Sequence, residues 1–126
     1  MKLLCDENVG TRVPRALKLV GLKTISLADK YGIGKQDVEW LKDAGARGWL
    51  VFSYDRNMID VSWERETIIA EKVGIVFLTS GDEHPHKVLL LLLKKWDWLE
   101  QIDQTTLRPF AYYLSPYGRI RQISLC

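Results

Sequence analysis

Two carboxylates in this sequence stand directly after apolar runs. Asp6 follows such a run at the start of the chain and Asp55 follows another near its middle, and each acid has an asparagine two residues on, Asn8 and Asn57. Apolar runs without alternation are typical of central strands covered on both faces. Open α/β sheets build their sites at the carboxyl ends of such strands. Both acids are followed by any residue and then Asn. This shared pattern predicts that the two acids form one site at the carboxyl edge of the sheet.

A third acid, Asp37, begins a predicted helix, and the glycine-containing loop before it can carry it over the same edge. Carboxylates gathered closely do not all stay ionised without a cation. Mg²⁺ or Mn²⁺ is the expected ion, held by carboxylates, water and phosphate oxygens. We therefore predict a metal and catalytic site formed by Asp6, Asp37 and Asp55, with Glu39 as an additional ligand. The competing interpretation is that each acid only caps a turn or helix.

Basic and amide side chains flank these acids in sequence and are candidates for contact with a phosphate-bearing substrate. The predicted substrate-binding residues are Asn8, Arg12, Lys35, Arg56 and Asn57. A charged residue on a loop is more often simply solvated, so this role depends on the acids forming a site. The tryptophans at positions 40, 49, 63 and 96 fall on apolar faces and are expected in the core.

Length and composition predict one ordinary globular domain spanning residues 1–126. The chain has 126 residues, of which 47% are apolar and 27% charged, and a formal net charge of +2. That charge is too small to indicate a nucleic-acid binder, although 18 basic residues permit a local basic surface. Cys5 and Cys126 lie at opposite ends, which argues against a disulfide framework or a zinc site. With no secretory signal or membrane segment recognised, we expect a cytoplasmic protein without a membrane partner.

Strand and helix patterns alternate along most of the chain. The predicted strands are residues 2–5, 23–27, 49–54 and 75–78, and the predicted helices are residues 9–20, 37–48, 59–73 and 85–103, with a loop at 29–35. This alternation is typical of an α/β fold with a mostly parallel sheet. The tail differs, because residues 110–114 and 119–125 flank the turn signal Ser-Pro-Tyr-Gly and predict a hairpin. In its second arm, Ile120 and Ile123 fall on opposite faces unless a bulge intervenes.

With these motifs in order, the chain resembles the PIN-like ribonuclease domains of VapC-type toxins. The matching segments are Asp6-Glu7-Asn8, Asp37-Val38-Glu39-Trp40, Ser53-Tyr54-Asp55-Arg56 and Pro109-Phe110 followed by Gly118-Arg119-Ile120. The resemblance implies a three-layer α/β/α sandwich and a Mg²⁺-dependent endoribonuclease that cleaves RNA at Asp6, Asp37 and Asp55. It also implies a cognate antitoxin and a homo-oligomer. Such domains commonly bring a fourth acid near Asp55, where this chain has Asn57; Asp60 and Asp82 are candidates to replace it.

Two other functions fit parts of the pattern. A phosphoacceptor receiver domain needs an acid pair after its first strand, an Asp after a middle strand and a Thr after a later one, which Asp6-Glu7, Asp55 and Thr79 provide. It also needs a late Lys, and no Lys follows Lys95, which argues against it. The third possibility is a catalytically silent binding module that kept the fold, an interpretation that Asn57 keeps open.

Overall fold

A six-stranded sheet forms the centre of the computed structural model, which describes residues 1–125. The strands are β1 (Leu3–Cys5), β2 (Thr24–Ser26), β3 (Leu50–Ser53), β4 (Gly74–Leu78), β5 (Phe110–Leu114) and β6 (Ile120–Ile123). Their order across the sheet is β2-β1-β3-β4-β5-β6. All neighbours are parallel except β5 and β6, which form an antiparallel hairpin. The predicted α/β fold with a mostly parallel sheet and a C-terminal hairpin is confirmed.

Helices cover both faces of this sheet and make three layers. They are α1 (Arg12–Leu19), α2 (Leu27–Tyr31), α3 (Asp37–Arg47), α4 (Ser62–Ala70) and α5 (Pro85–Thr105). Leu3 and Cys5 of β1 point into the layer of α1 and α5, whereas Leu4 points into the layer of α2, α3 and α4. Every residue of β1, β3 and β4 is buried, because side chains on both faces are covered. The apolar runs without alternation are thus explained.

The sheet has a topological switch point between β1 and β3. The chain leaves β1 for β2 on one side and later returns to β3 on the other side of β1. Crossovers that leave in opposite directions open a crevice at the carboxyl ends of the two strands, where α/β sheets bind ligands. Asp6 directly follows β1 and Asp55 closely follows β3, so the topology places both at this crevice.

Helices α3 and α4 approach each other closely at Gly45. A methyl group on Gly45 would lie 2.3 Å from the backbone carbonyl oxygen of Glu71, which no real contact allows. The glycine therefore permits a helix spacing that alanine would widen. Since Asp37 lies in the first turn of α3 and Glu64 in the first turn of α4, we expect the spacing of the two helices to influence the distance between these acids.

Several element boundaries differ from the sequence prediction at the N-terminal half. The predicted helix over residues 9–20 begins only at Arg12, because Gly10 has a positive φ of 80° and ends a short 3₁₀ turn, Glu7–Val9. Val20, the last residue of the predicted helix, is 67% exposed. Part of the predicted loop is helix α2, which Ser26 caps by accepting a hydrogen bond from the Asp29 N–H at 3.3 Å.

Two further predictions concern the middle and the end of the chain. The amphipathic segment 59–73 is a 3₁₀ turn (Arg56–Ile59) followed by α4, and the expectation that Trp63 lies in the core is wrong, since it is 65% exposed. Trp40, Trp49 and Trp96 are buried as predicted. The hairpin pairs regularly, with Leu114 opposite Ile120. Within residues 1–125, no helix combines the length and apolar character needed to cross a membrane.

Candidate active site

Asp6 is the most enclosed acid at the switch point, with only 4% of its surface exposed. Each of its carboxylate oxygens has a donor: the Glu7 N–H lies 2.6 Å from Oδ1 and the Ser53 hydroxyl 2.7 Å from Oδ2. The first contact makes Asp6 the cap of the 3₁₀ turn, as the capping interpretation expected. The second links the end of β1 to the end of β3, which a cap alone does not need.

Ser53 joins the two acid motifs through a single hydroxyl. It donates to Asp6 and accepts from the Asp55 N–H at 3.0 Å, and its side chain is fully buried. Asp55 in turn caps the second 3₁₀ turn, accepting from the Asn57 N–H at 3.1 Å. The positions of Asp6 and Asp55 are therefore fixed relative to each other by one buried side chain.

Asp37 reaches the site from the start of α3, where its side chain is only partly buried. Its Oδ1 accepts a hydrogen bond of 3.0 Å from the indole N–H of the buried Trp40, one turn along the helix. Asp37 also lies within hydrogen-bonding reach of Glu64, an interaction that raises the pKa of Glu64 and lowers that of Asp37. The structure thus brings a fourth acid to the cluster, Glu64, rather than Asp60 or Asp82.

The cluster consists of four carboxylates, Asp6, Asp37, Asp55 and Glu64, and the pKa is raised at Asp6, Asp37 and Glu64. Burial raises the pKa of Asp6 from 3.8 to about 6, and the charges of Asp37 and Asp55 add to the rise, while the hydrogen bonds from Ser53 and Glu7 oppose it. Burial likewise raises the pKa of Glu64 from 4.5 to about 7, with Asp37, Asp55 and Asp6 adding to it. Burial is also the main cause of a raised pKa at Asp37. Carboxylates that resist ionisation together are typical of a cation or proton-transfer site.

The donor chemistry of this cluster suits a hard divalent cation. Carboxylate oxygens are the ligands that Mg²⁺ and Mn²⁺ prefer, and a cation among them offsets their mutual repulsion. As the side chains stand in residues 1–125, no three Asp, Glu, His or Cys side chains form a group that could hold one ion. An arrangement of this kind fits a cation held by one or two carboxylates, with water filling the rest of its shell.

The loop that leads into α3 is tied to the first acid motif by Glu7. The Gly34 N–H donates to the Glu7 carboxylate, at 3.3 and 3.4 Å from its two oxygens. Asn8 acts similarly on the other side, because its Oδ1 accepts the Tyr54 N–H at 3.3 Å. Glu7 and Asn8 thus hold neighbouring backbone rather than extend the acid cluster. The predicted role of Asn8 in substrate binding stays a prediction.

The other predicted residues lie around this edge. Lys35 and Glu39 pair with each other at 3.6 Å near the start of α3, and the role of Glu39 as an additional metal ligand stays a prediction. Arg12, Arg56 and Asn57 are exposed at the starts of the elements that follow the two strands. Their substrate-binding roles are neither supported nor excluded by a contact. Cys5, directly before Asp6, is buried, and burial raises its pKa to about 12, so it stays a neutral thiol.

With the site described, comparison with known proteins identifies the family. A family model described as a PIN-like domain matches residues 1–80, which include all four acids. The chain belongs to the PIN-like domain family. No curated protein and no solved structure matches it. Since PIN-like domains are in general nucleases, the match indicates a nuclease-type function for this PIN-like domain and favours it over the receiver interpretation. The extension of one domain over residues 1–126 stays a prediction.

Ser53 and Glu64 are the site residues that the sequence analysis of this PIN-like domain missed. Ser53 belongs to the predicted strand 49–54 and to the segment Ser53-Tyr54-Asp55-Arg56, but nothing in its spacing predicts a contact across 47 residues. Glu64 carried a usable signal, since it is an acid in the first turn of the helix after the Asp55 motif. The close packing of α3 on α4, which brings it to Asp37, depends on Gly45 and is not visible as a sequence period.

Proposed function

We propose that this PIN-like domain is a metal-dependent endoribonuclease that hydrolyses RNA phosphodiester bonds at the carboxylate cluster. The observation that carries the proposal is the gathering of Asp6, Asp37, Asp55 and Glu64 at the switch point, with pKa values raised to about 6 at Asp6 and about 7 at Glu64. Ion pairs that only stabilise a fold lower the pKa of an acid, whereas here burial is the main cause of a raised pKa and the neighbouring acids add to it. A bound cation would offset the cost of ionising these buried acids together.

Asp6 and Asp55 are the residues we assign to holding Mg²⁺ or Mn²⁺, because Ser53 fixes their relative position. Asp37 and Glu64 complete the cluster from the helix side. When bound, such a cation turns water into a nucleophile at neutral pH and neutralises charge on the departing oxygen. Glu64, with a pKa of about 7, is able to hold or release a proton at its carboxyl near neutral pH, which suits a general acid or base.

The resemblance to VapC-type toxins extends the proposal to partners. A cognate antitoxin that occupies the acidic cleft, and assembly into a homo-oligomer, are predictions of that resemblance alone. The same holds for RNA rather than DNA as the substrate.

Cleavage of RNA by wild type and Asp55→Asn tests the assignment. We expect cleavage with Mg²⁺ or Mn²⁺ that a chelator stops, and a loss of at least 100-fold in Asp55→Asn, in line with about 3 kcal/mol of lost transition-state stabilisation. The fold should persist, because the amide oxygen still accepts the Asn57 N–H. Asp97→Asn, an exposed acid-to-amide change on α5, is the matched control and should leave cleavage unchanged. Equal cleavage by wild type and Asp55→Asn would refute the assignment of Asp55 to the active site.

A further inference from the structure

Trp63 is exposed next to the acid cluster. Its side chain is 65% accessible, and it lies in the first turn of α4 immediately before Glu64. It forms one wall of a cleft lined by Lys35, Gln36, Asp37, Val38, Trp63 and Glu64. Single exposed apolar side chains are ordinary on a protein surface, so exposure alone decides nothing. The relevant observation is that the indole lines a cleft that also contains two of the four acids, Asp37 and Glu64.

The ring of Trp63 has no partner of the kinds that three other tryptophans, Trp40, Trp49 and Trp98, have. Trp40 donates its indole N–H to Asp37, Trp49 has three cations around its ring, and Trp98 packs edge-on against Tyr112. Among residues 1–125, none of the ring–ring contacts, cation–ring contacts or side-chain hydrogen bonds involves the Trp63 indole. The aromatic face of Trp63 is therefore available to contact a ligand that enters the cleft.

We propose that Trp63 stacks against an unpaired nucleobase of the bound strand and so positions that strand beside the acid cluster. The inference rests on the proposed function and adds a substrate-positioning residue to it. Base stacking on aromatic side chains is a recurrent mode of single-strand binding and tolerates any sequence. In a duplex both faces of a base are already stacked, so only an unpaired base can present a face to the indole.

The cleft supplies the other contacts that a nucleotide requires. Lys35 lines the same cleft, its side chain is 31% exposed, and its ammonium group lies 3.6 Å from the Glu39 carboxylate. A cation in this position attracts phosphate without reading sequence. On the inner wall, Asp37 and Glu64 belong to the carboxylate cluster assigned to the divalent cation. Ring face, ammonium and carboxylates thus lie along one cleft, which favours a nucleotide strand over a protein surface as the occupant.

Binding of a labelled single-stranded RNA by fluorescence anisotropy, in Ca²⁺ and with the recovered RNA checked for integrity, tests the proposal. Stacking of one base is worth about 5- to 150-fold in affinity. We expect Trp63→Ala to weaken binding within that range and Trp63→Phe to retain most of it, because phenylalanine keeps an aromatic face. Leu107→Ala is the matched control, since Leu107 is 90% exposed but precedes β5 at the opposite edge of the sheet. It should bind as wild type does.

Two additional probes separate stacking from other effects. An abasic oligonucleotide of the same length should bind wild type and Trp63→Ala equally, and the annealed duplex should bind more weakly than the single strand. Quenching of tryptophan emission on binding should fall in Trp63→Phe while affinity is kept. Unchanged RNA affinity in Trp63→Ala overturns the inference, and so does a change confined to oligomeric state, which would mark Trp63 as a protein contact instead.

The stacking inference and the nuclease proposal can fail independently, because one is tested by binding and the other by cleavage. If wild type binds single-stranded RNA through Trp63 but cleaves none, the nuclease proposal fails and the stacking inference stands. If wild type cleaves RNA and Trp63→Ala binds and cleaves equally well, the nuclease proposal stands and the stacking inference fails. If wild type binds no single-stranded RNA, the stacking inference fails regardless of cleavage.

Discussion

Replacing Ser53 by alanine should destabilise this PIN-like domain in a way that depends on pH. The change removes a fully buried hydroxyl that donates to Asp6 at 2.7 Å and accepts from the Asp55 N–H at 3.0 Å. A hydrogen bond to a charged group contributes about 1.5–3 kcal/mol, whereas one between neutral groups contributes about 0.5–1.5 kcal/mol. Losing an acceptor for the half-buried Asp55 N–H adds about 1 kcal/mol. The expected loss of unfolding free energy is about 2.5–4 kcal/mol when Asp6 is ionised.

The sign of the pH dependence follows from Asp6. Its pKa of about 6 in the folded protein lies above its ordinary value of 3.8, mainly because of burial, so the folded state binds this proton more tightly than the unfolded chain does. Stability contributed by Asp6 therefore falls as pH rises from 3.8 to 6. The Ser53 hydroxyl lowers this pKa, and without it the fall continues to higher pH. The variant should lose about 1–2 kcal/mol more at pH 8 than at pH 4.

Urea unfolding in a chelator, followed by tryptophan fluorescence at several pH values, measures both quantities. Ser115→Ala is the matched control, because the Ser115 hydroxyl accepts two backbone N–H groups, from Tyr117 and Arg119, in an exposed turn. The Ser115 hydroxyl has no carboxylate to donate to, so Ser115→Ala should change the unfolding free energy only slightly and equally at all pH values. If Ser53→Ala shows the same loss at pH 4 and pH 8, the bond to an ionised Asp6 is refuted.

Two further changes probe the cluster from its two sides. Asp6→Asn removes a negative charge whose burial costs about 3 kcal/mol above pH 6. Although one hydrogen-bond acceptor is lost, the variant should be more stable than wild type by about 1–2 kcal/mol at pH 8. Equal dependence of the unfolding free energy on pH in the variant and in wild type, measured by urea unfolding, would contradict this. Gly45→Ala places a methyl group against the Glu71 carbonyl and should cost about 1–3 kcal/mol. Because α3 and α4 then separate, the pKa of Glu64 followed by NMR should fall from about 7; an unchanged pKa would show that Gly45 does not set the spacing.

The sequence predicted the architecture because the signals for it are local. Uninterrupted apolar runs marked the buried strands, and the long helix beginning at Pro85 was recognised to within two residues of its end at Thr105. Local signals also misplaced boundaries. Ser26 ends β2 and its side chain also caps α2, a helix that the predicted strand 23–27 and the loop after it did not include. Gly10 divides a segment whose apolar spacing favours one helix. Capping and positive φ are decided by geometry that periodicity does not record.

The acid positions were predictable only in part for the same reason. Asp6 and Asp55 follow strands, and the carboxyl ends of parallel strands meet at one edge, so their neighbourhood follows from the fold class. The exposure of Trp63 does not follow from the fold class. Only Ile68 of α4 is buried, because that helix contacts the rest of the protein along a narrow strip, and the apolar residues outside the strip face solvent.

The bond between Ser53 and Asp6 also determines when the acid pair comes into being as the chain folds. It joins residues 47 positions apart, and the bond from the Tyr54 N–H to Asn8 joins residues 46 apart. Contacts of such separation form only after the intervening loop has closed and β1 has paired with β3. Partly folded forms with this pair of strands apart therefore lack the arrangement altogether. The acid pair forms and disappears together with the centre of the sheet, which is the kind of region that opens last in native-state hydrogen exchange.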